Sequence, residues 1–353
     1  MIKKYADILS SYKVSTLHQI GLISGLPIVN STKQGRIESL VNGLNLQSRV
    51  PQQNINILSI DVGIKNFSYC QVNGLRLNID SPSVVSKWAK IDLNEEYGSH
   101  YEPIISLSSP LDSKRYINYF TQKLANDLVQ KSNIPDIIVM ETQRTRSNNN
   151  SITLPNVLLN YTFENILYSN LYNKLPTVPI IPMASTSMIN FWFNRFVTKQ
   201  SLKKFSTSKK SRLSIFFNWM EKKSLFTLPG WEDIDHSLSI PKKTKLVLAH
   251  LGLESNDKID DLIDSLFYNL TIKRHLQNQS ELINLLNQDD FNINHYIVKH
   301  NVKQLMLVKD IIEEFNLQLI PEYQSYVDFF QPLKEFNELD DLLINDFIRL
   351  NKM

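Results

Sequence analysis

Short apolar runs alternate along the chain with stretches of helical periodicity, and the order of the two predicts the architecture. Residues 55–63, INILSIDVG, form a continuous β-type run that ends in an acid and a glycine. NFSYCQV (66–72) follows after two residues, a spacing that predicts a hairpin. Residues 84–91 predict a third strand, and 95–110, which are polar, a loop. Residues 111–131 carry Ile117, Phe120, Leu124 and Leu128 at helical spacing. DIIVME (136–141) is a short apolar run closed by Glu141, the pattern of a buried central strand in a mixed sheet. A polar loop over 142–153 leads through Pro155, suited to a first helical turn, into a helix to about 175. A fifth strand is predicted at 178–182. Helices follow near 185–196, up to 223 and at 245–251, and the last 80 residues are mostly helical in pattern, broken near Pro321 and Pro332.

Residues 256–270, NDKIDDLIDSLFYNL, place Ile259, Leu262, Ile263, Leu266, Phe267 and Leu270 on one helical face. Asp260, Asp261 and Asp264 share the other. Three such carboxylates need full solvation or a cation, and alone they suit a solvated helix whose acids favour its N-terminal dipole. Before the strands, residues 1–48 form a small helical unit. Its second helix is expected to be capped by Ser15 or Thr16, and its third, 32–44, carries Lys33 and Arg36 opposite an apolar side. Residues 47–54 read as a polar linker.

Composition narrows the chemistry. With 42% hydrophobic and 21% charged residues, the 353-residue chain reads as an ordinary globular protein. The formal charge of +3 argues for nucleic acid only where basic residues cluster, as Lys199, Lys203, Lys204, Lys209, Lys210 and Arg212 do without an intervening acid. The single cysteine, Cys70, rules out an internal disulfide and a multi-Cys zinc site. The seven histidines show no metal-ligand spacing, and no glycine-rich phosphate loop is present. No apolar run approaches the ~18 residues of a membrane span. An N-terminus with Lys3, Lys4, several serines and one early acid is compatible with a transit peptide and equally with an ordinary helix.

Asp61 and Glu141 each close an apolar strand, where a carboxylate is costly unless paired or bound to a cation. Together with the acidic helix they form a set of hard oxygen donors suited to Mg²⁺ or Mn²⁺. Two such ions about 4 Å apart can activate a water and stabilise the leaving oxygen of a phosphodiester, chemistry that needs no His or Cys. In that arrangement the apolar face of the helix would hold its acids against the sheet. Lys65, Arg144 and Arg146, which follow the two strand acids, would sit at the mouth of the site and hold phosphates.

IDVGIKNFSYC, IIVMETQRTRS and KIDDLIDSLFYNL resemble, in order and context, the RuvC-type nucleases of the RNase H-like superfamily. More closely they resemble the yeast mitochondrial Holliday-junction resolvases. STLHQIGLISGLPIVNSTKQGRIESLVNGL resembles the DNA-binding SAP motif. The resemblance spans about residues 1–275. It implies an α/β fold with a five-stranded mixed sheet in the order 3-2-1-4-5, with a SAP-like unit (1–48) and a nuclease domain (55–275); the helical C-terminal extension (276–353) departs from the family's compact members. It further implies a mitochondrial, Mg²⁺- or Mn²⁺-dependent homodimer that cuts four-way DNA junctions by paired symmetric nicks, with no nucleotide cofactor. Asp61, Glu141 and Asp264 match the family's catalytic acids, and Asp260 or Asp261 would join Asp264, both spacings returning to one helix face. A DxG after a first strand also opens the actin-like ATPases and sugar kinases, but their second glycine-rich phosphate strand is not visible here. A catalytically dead DNA-binding protein of the same fold is the third alternative.

Overall fold

The computed structural model describes residues 2–26, 32–47, 50–51, 53–77, 79–129, 134–143, 155–204, 208–231, 235, 237–330 and 339–351, without the side chains of 46, 204 and 208–210. Three helices lead: α1 (Ile2–Ser10), α2 (Val14–Ser24) and α3 (Lys33–Gln47). The expected cap is not used, since α2 starts after Lys13 with no side-chain capping bond. The sheet strands are β1 (Ile55–Asp61), β2 (Phe67–Leu75), β3 (Ser83–Ile91), β4 (Ile137–Glu141), β5 (Ile180–Met183) and β6 (Phe226–Thr227). Their order is β5-β4-β1-β2-β3-β6. β2 lies antiparallel to β1 and β3, while β4 and β5 run parallel to β1. β6, two residues beside the start of β3, makes six strands where five were expected.

One face of the sheet is covered by α4 (Leu93–Tyr97), α5 (Pro110–Leu128) and α6 (Pro155–Lys174). The helical turn of α4 falls where a loop was expected, because Asp92 accepts from the amides of Asn94 and Glu95 and so satisfies its first N–H groups. α5 likewise starts on Ser109 with Pro110 in its first turn. Leu58, Ile60, Ile138 and Met140 meet Phe120, Phe163, Leu167 and Leu171 on this side.

The opposite face, with Ile57, Cys70, Val72, Ile137 and Val139, is covered by the remaining helices. These are α7 (Ser185–Trp192), α8 (Lys199–Lys204), α9 (Ser208–Glu221), α10 (Ile240–His250), α11 (Asp260–Asn287), α12 (Ile293–Glu314), α13 (Pro321–Phe330) and α14 (Asp341–Leu350). α11 is central. Every residue from Leu262 to Lys273 is buried, so it is an interior helix and not the half-solvated one its sequence suggested. It also runs unbroken across residue 275, and Leu282 and Leu286 in its last turns pack with Leu17, Ile20, Leu40 and Leu44 of the N-terminal helices.

Hydrogen bonds line the contact between α11 and the sheet. Ser59 Oγ donates to the Ser265 carbonyl at 2.7 Å, and Ser68 Oγ to that of Asp261 at 2.6 Å. Trp88 Nε1 donates to the Leu262 carbonyl at 2.9 Å, and Asn269 Nδ2 to the carbonyls of Ile57 (3.1 Å) and Cys70 (3.3 Å). Each buried bond contributes about 1 kcal/mol and leaves a costlier unsatisfied group if broken. On the far side Phe267 packs on Trp219 of α9, ring centroids 5.1 Å apart. The apolar residues Leu262, Ile263 and Leu266 share one core with Ile57, Cys70, Val72 and Val139, as expected, and these hydrogen bonds add a polar line of contact that the periodicity did not predict.

Candidate active site

Side chains alternate across a strand, so the residues that share a face with Ile57 and Ser59 in β1 include Asp61, and those with Ile137 and Val139 in β4 include Glu141. In the parallel pairing Ile60 stands opposite Met140, which makes Asp61 and Glu141 the next neighbours at the same ends of adjacent strands. Both project toward α11. Glu141 is held on one oxygen, Oε2, by Gln143 Nε2 at 2.6 Å and the Val62 amide at 3.4 Å. Gln143 also donates to the Val62 carbonyl at 3.0 Å, tying the end of β4 to that of β1.

Asp264, on the first turns of α11, completes the group and is 8% exposed. Its Oδ2 is ion-paired with Arg212 of α9, each side chain 11% exposed. Its Oδ1 is buried and accepts no hydrogen bond. Burial, and then the neighbouring Glu141, Asp264 and Asp261, hold the Asp61 carboxyl well above the usual range. Asp264 is pushed up to about 7 by burial, against the pull of Arg212, with Glu141, Asp261 and Asp260 adding to the rise. The negative charge packed here exceeds what one arginine compensates. Asp260 and Asp261 are half-buried, and of the two it is Asp261 that acts on both Asp61 and Asp264.

The fit to a divalent cation rests on these observations: hard carboxylate oxygens, carboxyls that resist ionising without further positive charge, and a buried oxygen without a donor. Among the described residues no three Asp, Glu, His or Cys side chains converge as a ready cluster. Arg212 engages Asp264, and Gln143 and Val62 engage Glu141, so an incoming cation would have to displace some of these contacts.

Other sequence candidates lie further out. Lys65 is exposed on the turn after β1. Arg144 and Arg146 lie outside the described residues, as do the side chains of Lys204, Lys209 and Lys210; Lys203 is exposed. Lys33 is exposed and donates to the Ser10 carbonyl at 2.6 Å, while Arg36 is half-buried. Arg212, grouped by sequence with the basic run, instead faces the acids. Sequence reading also missed Gln143, Ser59, Ser68 and Asn269. Ser59 and Asn269 did carry a signal, a polar residue inside an otherwise apolar run.

The family described as "Mitochondrial resolvase Ydc2 / RNA splicing MRS1" matches residues 57–282. The chain is 29% identical over 272 residues to "Cruciform cutting endonuclease 1, mitochondrial" of Saccharomyces cerevisiae, covering 68% of this chain and 74% of that protein. It is 28% identical over 222 residues to the Schizosaccharomyces pombe protein of the same name, covering 59% and 75%. The fold is shared with the crystal structure of the yeast mitochondrial Holliday junction resolvase Ydc2, with a TM-score of 0.50, 20% identity, and coverage of 78% of this chain and 99% of that one. With 226 of its residues in the matched segment, the chain belongs to the mitochondrial resolvase Ydc2 / RNA splicing MRS1 family.

Proposed function

We propose that this protein is a mitochondrial endodeoxyribonuclease that resolves four-way DNA junctions. It would cut two opposed strands symmetrically and leave 5′-phosphate and 3′-hydroxyl ends. The observation that carries the reading is the meeting of Asp61 and Glu141, at register-matched strand ends, with Asp264 of the buried helix. Relatives named as cruciform cutting endonucleases supply the substrate class. No nucleotide cofactor is required.

Two Mg²⁺ or Mn²⁺ ions would be held by Asp61, Glu141 and Asp264, with Asp261 better placed than Asp260 to join them. When bound, such ions supply an activated water and stabilise the leaving oxygen. The chain's own residues do the positioning. Gln143 and the Val62 amide fix Glu141, and the bonds from Ser59, Ser68 and Asn269 fix the rotation of α11, hence the aim of Asp264. Arg212 holds Asp264 in the cation-free protein and offers its fork to a phosphate once released. Lys65 at the rim, the SAP-like helices with Lys33 and Arg36, and the basic segment around Lys203 would carry the junction arms.

A homodimer would bring two such sites to one junction. α6 supports it: Phe163, Leu167 and Leu171 are buried, but Leu158 (53%), Tyr168 (41%) and Tyr172 (53%) form a second, exposed apolar stripe. The family description also names an RNA-splicing protein, and a nucleic-acid binder without cleavage is the competing reading. Incubation with a synthetic four-way junction or a linear duplex, in Mg²⁺ or EDTA, separates them. Paired nicks in the junction alone are expected, abolished in Asp61→Asn while junction binding survives. Undiminished cutting by that variant would overturn the assignment.

A further inference from the structure

Tyr268 is fully buried on α11, and its hydroxyl has no partner among the described residues. A tyrosine hydroxyl in the interior normally finds a partner, because an unmade hydrogen bond there costs about 1–3 kcal/mol. The surroundings say where the partner lies.

The bonds from Ser68 to the Asp261 carbonyl, from Ser59 to that of Ser265 and from Asn269 to β1 and β2 fix which side of α11 rests on the β1–β2 pair. Trp88 of β3 reaches the Leu262 carbonyl and Ser265 Oγ, which places β3 on one flank of that line. At about 100° per residue, positions 264 and 268 fall on the opposite flank, one turn apart. In a sheet ordered β4-β1-β2-β3 that flank is the β4 side, where Glu141 ends its strand. Tyr268 therefore lies inside the acid group, one turn deeper than Asp264. In agreement, burial and then Glu141, Asp61 and Asp264 push its phenol well above the usual range, which keeps it a donor.

We infer that Tyr268 is a positioning residue of the acid site, its hydroxyl donating to the Asp61–Glu141 pair once a divalent cation is bound and so fixing the two carboxylates around it. In the cation-free structure Glu141 is engaged by Gln143 and the Val62 amide, and the Tyr268 hydroxyl is left without a partner among the described residues. The inference rests on the reading of the site as a divalent-cation nuclease. It adds a residue that acts through the carboxylates and touches no DNA.

Tyr268→Phe removes one oxygen and keeps the ring's packing. The full-length protein, wild type and variant, is melted in EDTA and across a Mg²⁺ titration without DNA, then assayed for single-turnover junction cutting over the same range. Removal of a residue that orients a ligand typically weakens metal binding 10–100-fold. The Mg²⁺ concentration for half of the thermal shift should therefore rise at least about 10-fold, and the concentration for half-maximal cutting should rise with it. Junction binding in EDTA should not change. A variant that melts lower in EDTA but keeps the wild-type Mg²⁺ midpoint makes Tyr268 a packing residue and overturns the inference, as does a variant identical throughout. A wild type that neither responds to Mg²⁺ nor cuts removes the nuclease reading itself, a different failure from an unresponsive variant.

Discussion

Replacement of Asp264 by Asn should make the cation-free protein more stable at pH 8, although it should destroy cutting. An aspartyl group that ionises at 3.8 in the unfolded chain and at about 7 in the fold binds its proton more tightly when folded. Between those values the native state holds a proton that the unfolded state has released. Stability therefore falls as pH rises from about 4 to 7, and above 7 the whole difference is lost. At ~1.4 kcal/mol per tenfold in proton affinity the loss reaches ~4 kcal/mol. The attraction of Arg212 is already contained in that value, so breaking the ion pair adds no separate cost of similar size. Asparagine keeps the shape and cannot ionise. With an unfolding entropy of roughly 2.1 cal/mol/K per residue, ~4 kcal/mol corresponds to a rise of ~5 °C for a chain of 353 residues. Melting in EDTA from pH 4.5 to 8.5 should show the two proteins converging at the acid end and Asp264→Asn ahead at the alkaline end. Saturating Mg²⁺ at pH 8 should close or reverse the gap, since binding to the native state stabilises the wild type alone. A variant that melts below the wild type at pH 8 in EDTA would refute the argument that burial and like charge outweigh the arginine.

Two further outcomes test the surfaces around the site. If the proposed dimer forms through α6, Tyr168→Glu with Tyr172→Glu should leave the fold intact, because both side chains are exposed, yet give monomers by light scattering and abolish paired nicking. Retention of the dimer would place the interface elsewhere. Gly25, which closes α2 at φ 65°, has no room for a side chain, as a Cβ would lie 2.0 Å from Nδ1 of buried His275. Gly25→Ala should cost about 1–3 kcal/mol of backbone strain before the clash is relieved. It should open residues 2–47 to limited proteolysis while the sheet stays protected.

Asp61 and Glu141 were legible because an acid closing an apolar strand contradicts its surroundings, and local contradiction is visible without neighbours. Asp264 was legible only in their company. Arg212 was not, since in KKFSTSKKSRL it is one of several basic residues, and what distinguishes it is an acid 52 positions away. β6 carries two residues of pattern, too few to register. α6 is apolar on more than one side, so periodicity could not separate the face toward the core from the face toward solvent. The burial of α11 was hidden for a related reason, since its aspartates alone suit solvent while Asn269, inside an apolar run, bonds to the sheet.

The 28 residues of α11 form a rod about 42 Å long at 1.5 Å per residue. Asn278 and Gln279 reach from it to the carbonyls of Ile23 and Ser24, so the N-terminal helices ride on the same rod as Asp264. From Asp264 to Asn278 the rise is about 21 Å, close to six base-pair steps at 3.4 Å. For a DNA arm gripped at the N-terminal helices, the offset between grip and cut is thus a property of a single rigid helix. Adding one residue to that helix would lengthen the offset by only about 1.5 Å, but it would turn the grip by about 100° about the axis of α11, away from the side on which Asp264 acts.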